Sequence, residues 1–243
     1  MRDHEAGIKL RETLVNLVFP RRCPVCDAVV PAGEGLICRQ CVSKPLYITE
    51  PRCRRCGKQL GGEEQEFCAD CLRRRHVFDY GYALYDYQSM KKSIYRFKYS
   101  RRCEYAAFYA QDLYRRLSGE IRLMDADALV PVPVHRSRLR QRGYNQAELV
   151  TAELSKLTGI PMYGKLVKRT RKTAPQKELA IQERQNNLKK AFHISTNVVK
   201  LNKTILIDDI YTTGSTLDAV ALELKRHGVG TVYFLALCIG EGM

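Results

Sequence analysis

Long apolar runs are missing from this chain of 243 residues. The longest near the N-terminus, "LVNLVF", is broken by Asn16 and falls far short of the roughly 20 residues that cross a bilayer. The basic start, apolar middle and small-residue cleavage pattern of a secretory leader are also missing. A cytoplasmic protein without membrane insertion is therefore expected, reaching the inner membrane face only through partners. Two common phosphate-binding signatures do not occur. There is no G-x-x-x-x-G-K, which excludes a Walker A loop, and no G-x-G-x-x-G, which excludes the dinucleotide fingerprint. Acidic residues are scarce: 26 Asp and Glu face 41 Lys and Arg, for a formal net charge of +15. That imbalance points to a polyanion or phosphate-bearing partner, against the plainer reading of a soluble basic surface. The remaining composition, 45% apolar and 28% charged, is that of a globular protein with room for two modules.

Cysteine is abundant. Ten occur, and a reducing compartment argues against disulfides. Eight of them form four C-x-x-C pairs: Cys23 and Cys26, Cys38 and Cys41, Cys53 and Cys56, Cys68 and Cys71. Each pair is separated from the next by 11 residues, an internal repeat of two C-x₂-C-x₁₁-C-x₂-C units. Two thiolates three apart on a tight turn can reach one ion, and two such turns complete a tetrahedral Zn²⁺ site. Gly57, just after Cys56, suits a turn that needs a positive φ. Two structural zinc ions are expected. Sequential use of the pairs is favoured over a cross-braced arrangement, which stays open. Two Zn(Cys)₄ centres at −2 each would lower the formal +15 only to +11. Cys103 and Cys238 are read as ordinary buried thiols. "PRCRRC" and "CLRRRH" place arginines where they can meet a nucleic-acid backbone or simply face solvent.

Residues 8–19 have helix-like spacing that stops at Pro20. "FDYGYALYDY" alternates aromatics and reads as strands or a hairpin. A helical pattern runs from Gln88 to Leu117, interrupted by "KYSRRCEY". "DALVPVPVH" gives a buried strand from Ala128 to Val132 before a proline-bound loop. Residues 144–157 read as a helix closed by Gly159. "KTILIDD", "STLDAVALELKRHG" and "TVYFLALC" then read as strand, helix and strand. This order predicts an α/β domain: a parallel sheet flanked by helices, over residues 77–243, behind a Cys-rich double zinc-ribbon module over residues 1–76.

Chemistry concentrates in "TILIDDIYTTGSTLD", Thr204 to Asp218. In parallel sheets ligands sit at the C-terminal ends of strands. Gly214 allows close backbone approach, and the turn Thr212, Thr213, Gly214, Ser215, Thr216 offers hydroxyls and N–H groups to a phosphate at a helix N-terminus. Asp208 and Asp209 can share a ligand only if the strand ends there and the chain turns. Two acids beside a phosphate cradle suit a sugar with free hydroxyls, or a metal next to it. Together they describe a ribose phosphate.

These residues resemble the phosphoribosyl pyrophosphate (PRPP) motif of type I phosphoribosyltransferases: apolar strand, two acids, then T-G-x-T. The resemblance implies that fold, with Asp208 and Asp209 on the ribose hydroxyls, Thr212–Thr216 on the 5′-phosphate, and Mg²⁺ on the pyrophosphate. "VPVPVHRSRLRQRGYNQAELV" and "RTRKTAPQKELAIQERQNNLKKAF" are further similar to the ComF family of competence-associated proteins, which carry an N-terminal zinc domain. Carried over by position, Val134, His135 and Arg136 lie in the pyrophosphate loop, and Arg142 is a phosphate contact. Arg169, Gln176 and Arg184 fall on a loop that closes over pyrophosphate.

Two functions follow from this resemblance. One is handling of imported single-stranded DNA in natural competence, together with DNA-uptake proteins and with a ribose-phosphate site. There "KKSIYRFKYSRR" offers Tyr95, Phe97 and Tyr99 for base stacking, unless it is an ordinary amphipathic helix. The other is transfer of ribose 5-phosphate from PRPP to a base or amine. The sequence assigns no catalytic residue and no acceptor.

Overall fold

The structure, a computed structural model, describes residues 20–31, 33–170, 191–194 and 201–240. The helix read at residues 8–19 lies outside them. Strand β1 (Tyr80–Asp86) is followed at once by helix α2 (Tyr87–Tyr99); a short helix α1 (Ala69–Arg73) precedes both. The aromatic alternation of "FDYGYALYDY" therefore belongs to one strand and not to a hairpin. Asp86 makes the switch, because its side chain accepts hydrogen bonds from the N–H groups of Gln88 and Ser89 and caps α2. Helix α3 (Tyr105–Met124) follows the basic turn.

Next come β2 (Ala128–Pro131), α4 (Arg136–Arg142), α5 (Gln146–Thr158), β3 (Val167–Arg169) and β4 (Phe192–Ile194). The chain closes with β5 (Lys203–Tyr211), α6 (Ser215–Arg226) and β6 (Thr231–Ile239). Asn145 caps α5 by accepting from the N–H of Ala147, and Gly159 ends that helix at φ 76°. The main sheet has the order β1–β6–β5–β2, parallel throughout; β3 and β4 form a separate antiparallel pair. The expected α/β arrangement is the observed one.

Alternation along the central strands divides the core. Ile205, Ile207, Leu235 and Leu237 face a layer built from α2, α3 and α5, which contributes Met90, Ile94, Phe97, Phe108, Leu113 and Leu154. Leu206, Phe234 and Ala236 face the other way, onto α6 through Leu217, Val220 and Leu224. A sheet covered on both faces explains why β5 and β6 read as continuous apolar runs.

The four cysteine pairs assemble sequentially. Cys23, Cys26, Cys38 and Cys41 form one group, and Cys53, Cys56, Cys68 and Cys71 the other; within each, the sulfurs lie within 4.8 Å of one another. The Cys26–Cys38 and Cys56–Cys68 sulfur separations are 3.7 and 3.6 Å. A tetrahedral centre with Zn–S near 2.3 Å has edges of about 3.8 Å, so the donor sets fit zinc in type, number and size. The two knuckles repeat in detail. Asp27 N–H donates to Cys23 O and Gly57 N–H to Cys53 O, with φ of 67° and 68° at those donors.

The two halves pack differently. The first keeps a small core of its own, Cys23, Val30 and Cys41. It is tied to α2 and α3 by Arg96 donating to Val25 O, and by Asp27, which pairs with Arg102 and accepts from the Tyr105 hydroxyl. The second shares the sheet's core: Cys53, Cys56 and Cys68 cluster with Phe78, Tyr211, Leu217 and Phe234. Cys238 is buried as expected, but Cys103 is exposed, because it sits in the turn just before α3 rather than in a packed element.

Candidate functional site

Strand β2 pairs with β5 only as far as Pro131 opposite Ile207, and the last bond between them runs from Val132 N–H to Ile207 O. Beyond that point the chain leaves toward α4, while β5 continues along β6 to Tyr211. The strand thus does not stop at Ile207, as the sequence reading required. One flank of Asp208–Tyr211 is left open instead. A cavity of about 390 Å³ fills the gap. Both aspartates line it, together with Thr212, Thr213, Gly214, Ser215 and Thr216.

Asp209 forms an ion pair of 2.9 Å with Lys98 from α2, both side chains being about 85% buried. Asp208 accepts from the N–H of Asp209. Burial first, and then the neighbouring Asp209 carboxylate, push Asp208 up to about 7. Its carboxyl therefore changes charge near neutral pH.

The hydroxyl-rich turn is held in shape by Gly214 at φ 72°, in the left-handed region that favours glycine, and by a 2.9 Å bond between the Thr213 and Ser215 hydroxyls. It runs directly into the N-terminus of α6, where free backbone N–H groups and the helix dipole favour an anion.

Cations face this turn. Arg138, Arg142 and Arg169 line the cavity along with Lys98, four positive groups against two carboxyls. Burial, then the adjacent Arg138, pull Arg169 below its ordinary value, and Asp208 opposes them. A guanidinium desolvated beside another cation favours an arriving anion. Arg142 donates to Gln146 Oε1 at 2.9 Å and to the Tyr99 hydroxyl at 3.2 Å. Its buried Nε has no hydrogen-bond partner among the described residues. Asn145 also borders the cavity, donating to Val132 O.

The chain thus brings together Asp208, Asp209, Thr212–Thr216, Arg142 and Arg169 out of the expected set. His135 and Arg136 are not on the cavity wall: His135 caps α4 by accepting from Ser137 N–H, and Arg136 is exposed. Gln176 and Arg184 lie outside the described residues. Sequence reasoning missed Lys98 and Arg138. Arg138 had a signal, since it precedes Arg142 by four residues and so shares its helix face. Lys98 had only its place in a basic–aromatic stretch.

Residues 14–72 match the double zinc ribbon domain family. The Competence protein F of Haemophilus influenzae is 31% identical over 87% of this chain and 93% of its own length. The chain belongs to the ComF family. The DNA utilization protein YhgH of Escherichia coli (strain K12) is 31% identical over 91% of this chain and 98% of that protein. Competence protein ComFC of Bacillus subtilis (strain 168) is 28% identical over 79% of each. No helix among the described residues is long and apolar enough to cross a membrane.

In this ComF-family chain the segment that follows the second zinc ribbon backs the cavity's turn. A Cβ on Gly214 would lie 2.9 Å from His76 Cε1 and 2.9 Å from the Tyr211 hydroxyl. His76, five residues after Cys71, is bonded through Nδ1 to Asp218 on α6, and Val77 N–H donates to the same carboxylate. Tyr211 stacks on Phe234 at 5.2 Å, and burial, followed by nearby Cys56 and Cys71, raises its hydroxyl well above the usual tyrosine range.

Proposed function

We propose that this protein binds a ribose 5-phosphate of the PRPP type in the cavity and acts in the handling of imported single-stranded DNA during competence. One observation carries the reading: two adjacent carboxyls share a single cavity with a glycine-centred turn at a helix N-terminus. Asp208 and Asp209 would take the ribose hydroxyls, and Thr212–Thr216 with the start of α6 the 5′-phosphate. Arg138, Arg142 and Arg169 would meet the remaining phosphate charge, as planar guanidinium forks do bidentately. The same carboxyls are hard oxygen donors suited to a Mg²⁺ ion arriving with the pyrophosphate, where it would neutralise phosphate charge. The role in DNA handling rests on the names of the relatives and on the net charge of +15.

The test is calorimetric titration of PRPP with Mg²⁺ into the protein and into Asp208→Asn/Asp209→Asn. Heat in the first and its loss in the second are expected; absence of heat in the wild type rejects the site. For the DNA-handling role, affinity for single-stranded DNA should fall as salt rises, and a flat response counts against phosphate contacts.

The cationic wall favours a second reading, transfer to an acceptor. The acceptor nitrogen would bond to the anomeric carbon as its bond to pyrophosphate breaks, with the arginines holding the departing charge and the acceptor's proton passing to solvent. Pyrophosphate release on adding bases, nucleotides or DNA separates the two readings.

A further inference from the structure

Helix α2 has two faces that the sequence alone does not separate. Met90, Ile94 and Phe97 point into the core. Lys91, Lys92, Tyr95 and Tyr99 form an exposed stripe, successive turns of the helix lying one above the other. Tyr95 is 62% exposed and Tyr99 is 49% exposed. Their rings pair at 5.0 Å between centroids, tilted by 48°. The stripe is continuous with the cavity. Tyr99 accepts from Arg142, whose guanidinium also sits 5.0 Å from the centre of the Tyr99 ring, and Arg142 lines the cavity. Lys98, adjacent in sequence to Tyr99, closes the cavity on the same side.

We infer that Tyr95 and Tyr99 form a stacking subsite for an unpaired nucleobase at the mouth of the cavity, with Lys91 and Lys92 holding the flanking phosphates. Scattered exposed tyrosines are ordinary, but two rings held against each other and against a guanidinium present a preformed π-surface. A base stacks on such a surface whatever its sequence, and the basic neighbours track the backbone. The subsite deepens the reading of the cavity by placing a single strand, or an acceptor base, next to the ribose-phosphate site. It rests on that reading only for its neighbour, not for its own binding.

The experiment compares a labelled oligothymidylate with an abasic strand of equal length by fluorescence anisotropy at fixed salt. The proteins are the full chain, Tyr95→Ala, Tyr99→Ala and Tyr95→Phe, each checked by circular dichroism and zinc content. Each alanine variant should weaken oligothymidylate binding by about 5- to 150-fold, the range of one stacked base. Tyr95→Phe should restore it, and the abasic strand should bind all four proteins alike. Unchanged oligothymidylate binding in the alanine variants overturns the inference. So does an equal loss for the abasic strand, or a wild type that binds the two strands equally. Titration of PRPP into the wild type is read separately. No heat there, with the stacking losses present, removes the ribose-phosphate reading and leaves the stacking subsite standing.

Discussion

Removing the second zinc site should cost the cavity its ligand, while removing the first should not. The asymmetry comes from packing. Cys53, Cys56 and Cys68 share a core with Tyr211 and Leu217, which flank the turn, whereas Cys23 and Cys41 cluster with Val30, Val25 and Ile37, away from the turn. Losing the second ion would free the segment that carries His76 and Val77, and with it two hydrogen bonds to the Asp218 carboxylate. Hydrogen bonds to a charged group contribute about 1.5–3 kcal/mol each, so roughly 3–6 kcal/mol of order around the turn is at stake. Water recovers part of it. If a quarter to a half had to be restored by the ligand, affinity would fall about 3- to 140-fold, since 1.4 kcal/mol is tenfold. The comparison pairs Cys53→Ser/Cys56→Ser with Cys23→Ser/Cys26→Ser. Zinc per chain is measured by metal analysis and ribose 5-phosphate affinity by calorimetry. One zinc should remain in each variant, with affinity lost only in the first. A Cys53→Ser/Cys56→Ser protein that stays folded, holds one zinc and binds as tightly as the wild type refutes the reasoning.

Other expectations concern single groups in the cavity. Asp208 titrates near 7 rather than near 4, so the folded chain holds its proton more tightly than the unfolded chain does, and this carboxyl costs stability as pH rises across that interval. Ribose hydroxyls are better received by the ionised form, so affinity for ribose 5-phosphate should rise with pH up to about 7 and then level off. Asp208→Asn flattens that component, leaving only the ligand phosphate's own ionisation near pH 6. An identical pH profile in both proteins counts against the assignment. Lys98→Met strands the buried Asp209 carboxylate and should lower stability by about 3–5 kcal/mol in urea unfolding. Adding Asp209→Asn should recover most of the loss, and non-recovery would mean the pair does not account for it. Gly214→Ala must adopt φ 72° with its methyl 2.9 Å from His76 and Tyr211. It should cost at least 1–2 kcal/mol from the backbone alone and abolish ribose-phosphate heat, an outcome excluded by a normal titration.

Local pattern settled much of this protein in advance. The C-x-x-C repeat named all eight sulfur donors, because ligand spacing on a tight turn is a property of a few adjacent residues. The strand, acid pair, glycine turn and helix of residues 204–226 were likewise readable, since each depends on neighbours in the chain. Where β5 ended was not readable, because Asp208–Tyr211 stay in the ladder through β6, a partner supplied later in the chain. The family resemblance placed His135 in the pyrophosphate loop; in the structure it caps α4 and does not line the cavity.

What the sequence determined by itself, then, is the inventory: two sets of four thiolates, a parallel sheet, and a glycine-centred, hydroxyl-rich turn at a helix N-terminus. Tertiary structure alone decided the sequential pairing of the thiolates, the arrival of Lys98 beside Asp209 and of Arg138 on the same cavity wall, and the seating of His76, just after the second ribbon, against Gly214. It also sent Phe97 inward and left Tyr95 and Tyr99 outside on the same helix. Each of these joins residues far apart in the chain, and only the packing of apolar faces, which buries α2 against the sheet and the second ribbon against α6, fixes which distant groups meet.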